Sequence, residues 1–164
     1  MFAQAPPISH VYDDEAVHTY HARHLFSRLY ASAKLRAVGT ALRRRPATLK
    51  PLAAALRPGA VVSRRYAGLR LVALEAIRGS ESRSADFDLS FRPRRRHMAQ
   101  RWMCVAAAWM AGVVFAPVQL IRVGDDYFVR DGHHRISVAR ALGQYAIEAE
   151  ITVWEVDNPA ASGR

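Results

Sequence analysis

The chain has 164 residues, 51% of them apolar, and a single cysteine. That is room for one ordinary domain with an appendage and a packed core, and it excludes an internal disulfide framework. The net charge of +10 is uneven: residues 1–65 hold eleven Lys/Arg against three acids, 66–100 seven against four, and 101–164 six against seven. A positive field confined to the first two-thirds points to a polyanionic partner, set against the plainer reading of a solvated face.

Met1–Pro7 has neither the basic start nor the apolar segment of a signal peptide, so a reducing cytoplasmic setting is expected. Asp13 to about Gly39 reads as a helix, with Asp13, Asp14 and Glu15 suiting its N-terminal end and Gly39 its stop. Tyr20, Leu25, Leu29 and Ser32 form one stripe, with Phe26, Tyr30 and Ala33 beside it. His18, His21 and His24 recur every three residues and drift around the helix, which does not make a metal site. This helix is also a surface through which two copies of the chain can pair.

Arg43-Arg44-Arg45-Pro46 ends the helix and begins a basic connector, with Leu52–Leu56 as a short helical piece. Leu69–Ile77 has strand character and opens a second domain from about residue 66 to 157, followed by the polar loop Arg78–Arg83. Arg94-Arg95-Arg96 is a second basic cluster before a helix over about 98–111. Both arginine clusters suit nucleic-acid phosphates. Without a helix-turn-helix, zinc module or aromatic platform, sequence-independent binding is the expectation. The apolar run Trp102–Ala116 is split by Gly112 and Pro117 and reads as a buried helix, not a membrane span. Trp102 and Trp109 are its core anchors, and Cys104 reads as a small core residue.

Val118–Val123 and Tyr127–Val129 flank the turn Gly124-Asp125-Asp126, the pattern of a hairpin. A helix then runs from Asp131-Gly132 to Gly143, and Ala146–Val153 alternates like a half-buried strand. At the junction lies Asp131-Gly132-His133-His134-Arg135. Helix-start N–H groups, a glycine permitting close approach, and cationic or imidazole donors together suit a phosphate. The plainer alternative is that Asp131 caps the helix and the histidines are solvated. The last residues, 158–164, read as a frayed tail.

Val129–Gly143 and the strand after it resemble the ParB/sulfiredoxin superfamily: a hydrophobic strand, a G-x-x-R or G-x-H-R turn, an Ala-rich helix, a glycine and a closing strand. The resemblance implies an α+β domain, a small mixed sheet with packed helices, behind the basic helical N-terminal region. It implies that Gly132, His133, His134 and Arg135 hold the phosphates of a nucleotide, ATP/ADP or CTP with Mg2+. It further implies that Gly79, Ser80 and Arg83 contribute from the loop after the first strand. Sulfiredoxins carry a reactive cysteine directly after the glycine, where this chain has His133, so sulfinic-acid reductase chemistry is out of reach. ParB proteins carry G-E-R-R and a further arginine, where this chain has Gly132-His133-His134-Arg135 and Ser137. Free-serine kinases of the superfamily resemble the chain through an Asp-Gly-His-x-Arg turn.

Three functions follow as expectations. The first is a nucleotide-phosphate-binding protein associated with nucleic acid, in the cytoplasm or on the nucleoid. The second is a small phosphotransferase or nucleotidase, with Asp131 or Glu75 as general base. The third is a partner-binding domain without nucleotide chemistry.

Overall fold

The computed structural model describes residues 8–43, 47–56 and 61–156. Its elements are α1 (Ile8–Leu42), β1 (Lys50–Pro51), α2 (Leu52–Ala55), β2 (Val61–Ala73), β3 (Ile77–Ser80), α3 (Ala99–Met110), β4 (Val118–Val123), β5 (Asp126–Asp131), α4 (His133–Ala141) and β6 (Ala146–Val156). One six-stranded mixed sheet runs in the order β1-β3-β5-β4-β6-β2. The fold is therefore α+β with a mixed sheet and packed helices.

The alternation expected of β6 is present: Ile147, Ala149, Ile151 and Val153 point into the main core, where Ile136 and Ala139 of α4 meet them. Val138, on the other side of α4, packs with Trp102 and Ala106 of α3 and with Ala22 and Phe26 of α1. Helix α4 is thus wedged between the sheet and the other two helices. On the opposite face of the sheet, Ile121, Phe128 and Trp154 are covered by Leu52 of α2. The β4–β5 hairpin turns at Gly124, whose φ of 59° is the left-handed value that glycine adopts freely.

Several expectations are corrected. Leu69–Ile77 is not one strand: β2 ends at Ala73, a 3-10 turn covers Leu74–Ala76, and β3 starts at Ile77. The break separates two distant places in the sheet, because β2 pairs only with β6 at one edge whereas β3 lies between β1 and β5. A short run of mostly apolar residues carries no mark of such a crossing. β1 and the first part of β2, which precede residue 66, pair into the same sheet. Helix α1 starts earlier than Asp13, and its buried stripe is Ala22, Phe26 and Ala33, leaving Tyr20 exposed. Cys104 faces out of α3 and is exposed, although Trp102 is fully buried. The tail 158–164, Arg44 and Arg45 lie outside the described residues.

Among the described residues no helix is long and apolar enough to cross a membrane.

Candidate functional site

Gly132, not Asp131, is the N-cap of α4, with φ 96° and ψ 19°. Only glycine suits the place twice over: the backbone is left-handed, and a Cβ would stand 2.5 Å from Val118 Cγ1. The cap makes no side-chain hydrogen bond, and Gly132 accepts from the Ile136 N–H at 2.9 Å. The N–H groups of the first turn therefore have no partner within the helix.

The histidines do not project into solvent. His133 and His134 are 4% and 6% exposed, packed against Phe87, which stacks on His133 and meets His134 edge-on. Ser80 Oγ lies 2.7 Å from His133 Nε2 and accepts from the N–H groups of Arg83, at 2.8 Å, and Ser82, at 3.3 Å. With its lone pairs engaged, the hydroxyl donates its own proton to Nε2, so His133 is neutral with its proton on Nδ1. Burial, with Arg83 behind it, pushes His133 down from 6.5 to about 4. His134 is lowered to about 4 as well, by burial and then by Arg83 and Arg101, and its Nδ1 is buried without a partner. Ser80 is not a nucleophile here: it is fully buried and its oxygen is saturated with donors.

Arg135 and Asp131 are bound to each other at 2.7 Å. The same guanidinium donates to the carbonyls of Ala116 and Pro117, tying the chain before β4 to the start of α4. Arg83 is paired with Asp86 at 3.4 Å, and Glu81 with Arg130 at 3.2 Å. Gly79 faces away from Ser80, onto the Lys50 carbonyl and the Phe128 ring, where a Cβ would overlap both. It is a packing glycine between β1 and β5. Glu75 lies beside Arg140 at the far end of α4, whose 9 residues place it about 13 Å from Asp131. These two carboxylates do not flank one phosphate.

The structure therefore gathers Ser80, Arg83, Gly132, His133 and His134, while Gly79 and Glu75 stand apart. No group of three His, Cys, Asp or Glu side chains is placed to hold a metal among the described residues. Sequence reasoning missed Phe87, Phe91, Asp88, Ser137 and Arg140. Asp88 Oδ1 accepts from the N–H groups of Ser90 and Arg92, shaping the loop that lays both phenylalanines on α4. Ser137 links the Trp102 indole N–H, at 2.8 Å, to the Phe91 carbonyl, at 2.6 Å. A serine and an arginine three residues apart on an apolar helix were the available signal.

The basic residues form a second locus. A cleft of about 140 Å3 between α1 and the turn before α3 is lined by Ala33, Lys34, Ala37, Arg94 and Arg95. Lys34 lies over the Tyr30 ring at 5.4 Å, and Arg94 reaches the Ala85 carbonyl at 3.4 Å. No acid lines the cleft, and none of Lys34, Arg36, Arg43, Arg94, Arg95 or Arg96 makes an ion pair among the described residues.

No protein-family model matches the sequence, and no curated protein does. Among solved structures the chain is similar to sulfiredoxin from Arabidopsis thaliana, with 22% identity and a TM-score of 0.35, over 51% of this chain and 82% of that one.

Proposed function

We propose that the protein associates with nucleic acid through the phosphate backbone, without reading sequence, using α1 and the turn at residues 94–96. One observation carries this reading. Lys34, Arg94 and Arg95 converge on a cleft without an acid, whereas Glu81, Asp86, Asp88, Asp126 and Asp131 each have a cationic partner elsewhere. Unpaired, exposed cations on a helix and an adjacent turn neutralise phosphates and release counterions, and this binding is insensitive to base identity.

The test is fluorescence-anisotropy binding to unrelated duplex DNA and single-stranded RNA across a salt series. Affinity is expected to fall steeply with salt. The double variant Lys34→Gln/Arg95→Gln is expected to weaken binding uniformly and reduce the slope of log K against log salt by about 2. Salt-independent binding, or an unchanged slope in the variant, overturns the reading.

A nucleotide phosphate on the first-turn N–H groups of α4, which have no partner within the helix, is a second reading. The donors it has are backbone ones, because Arg135 is engaged with Asp131 and two carbonyls. Calorimetric titration with ATP, ADP, CTP and GTP plus magnesium tests it, and no heat with any of them in folded protein removes it.

A further inference from the structure

We propose that α1 pairs two copies of the chain, antiparallel, through the side it turns away from α3. The pairing rests neither on nucleic-acid binding nor on a ligand at α4. At 3.6 residues per turn, Ala22, Phe26 and Ala33 share one side of α1, and there Ala22 and Phe26 meet Trp102 and Ala106. Val17, Tyr20, Leu35, Val38 and Leu42 fall on the opposite side and are 48–82% exposed. A helix that covered one core only would carry polar residues there.

This exposed side has the periodicity of a helix-pairing seam. From Val17 to Leu42 it steps alternately by four and three residues, and every position on it is exposed. Lys34 and Ala37, which line the basic cleft, are off the seam, so pairing leaves that cleft open.

Charge and polarity set both the occupant and its direction. His21, His24 and Arg28 stand in the first half of the seam, and Ala31, Leu35, Val38 and Leu42 in the second. Antiparallel pairing sets one half against the other, giving the layers Val17–Leu42, His21–Val38, His24–Leu35 and Arg28–Ala31, each made twice by the twofold axis. Parallel pairing would stack Arg28 on Arg28. The ends of the helix agree. Asp14 and Glu15 are exposed near its start and Arg43 just past its end, and none of them forms an ion pair among the described residues. In the antiparallel register Glu15 of one copy lies within a turn of Arg43 of the other, whereas the parallel one sets like charge against like. A partner of different sequence would have to reproduce this reversed pattern. A second copy supplies it by symmetry.

The experiment is sedimentation equilibrium of the nucleic-acid-free full chain over a concentration series. A reversible monomer–dimer equilibrium of the 18.3 kDa chain is expected. The double variant Leu35→Glu/Leu42→Glu, at exposed positions that the monomer core does not use, should weaken it at least about tenfold with an unchanged circular-dichroism spectrum. Direction is read by disulfide trapping in a Cys104→Ser background, which removes the exposed native thiol. An equal mixture of Val17→Cys and Leu42→Cys chains should trap the mixed dimer, and neither chain alone should trap with itself. A monomer at every concentration, a dimer unaffected by Leu35→Glu/Leu42→Glu, or trapping of Val17→Cys with itself overturns the proposal.

Discussion

The two ends of α4 are built from the same residue types and treat them oppositely. At the start, Asp131 and Arg135 hold each other, Arg135 also holds two carbonyls, and His133 is bonded to Ser80. At the end, Arg140 donates to the carbonyls of Leu74 and Ile77 and Arg92 stands 3.9 Å from Asp88, while Arg140 Nε and Arg92 Nη1 are enclosed without a partner. The start carries the motif that looks functional in the sequence, yet apart from His134 its side chains are engaged in holding the fold. Its unmet donors are backbone ones. The end carries no motif, and its unmet donors are charged. Resemblance to a binding motif and availability for binding are therefore different properties, since most of the motif's side chains are engaged within the fold.

If the start is structural, perturbing it should cost stability. The largest effect concerns pH. His133 and His134 titrate near 4 in the folded protein against 6.5 for an ordinary histidine. The unfolded chain binds more protons between those values, so stability is full above about pH 6.5 and is lost as pH falls toward 4. Each ring accounts for on the order of 3 kcal/mol at full titration. Urea unfolding at a series of pH values measures this, and a flat free energy from pH 7 to 4.5 would show that the rings are solvated.

Gly132→Ala follows, at about 3 kcal/mol, from the left-handed backbone together with the collision with Val118. Its unfolding midpoint should drop sharply at unchanged m-value. Arg135→Gln is expected to cost about 2 kcal/mol, since it leaves the Ala116 and Pro117 carbonyls and Asp131 without their donor. A loss of nucleotide binding in that variant would need the same loss in a folded, stability-matched control. Ser80→Ala should cost about 1–2 kcal/mol, because His133 Nε2 and two loop N–H groups lose their partner. At the opposite end, Glu75→Gln should leave stability within about 0.5 kcal/mol, as expected of an exposed group with no ion pair. A large loss there would place Glu75 in a structural ion network.

Local patterning was legible where a single element decided the outcome. The hairpin around Gly124, the helix from His133 and the alternating strand that closes the chain all follow from turn chemistry and periodicity over a few residues. The charge asymmetry was legible as well, because charge is additive along a chain. Ser80 and Arg83 were read as neighbours of the α4 start only through resemblance, and they do stand beside His133.

What the sequence determined by itself is the run of elements from the β4–β5 hairpin to β6 and the placement of positive charge in the first two-thirds. Tertiary structure alone decided that β2 and β3 part at Leu74–Ala76, that Cys104 turns outward, and that Glu75 belongs with Arg140 and not with Asp131. It also decided that the basic turn at Arg94 and Arg95 meets Lys34 of α1. The physical reason is range. Periodicity and turn propensity act over a few residues, whereas the satisfaction of a buried donor depends on which distant carbonyl, hydroxyl or carboxylate the packing brings within about 3 Å.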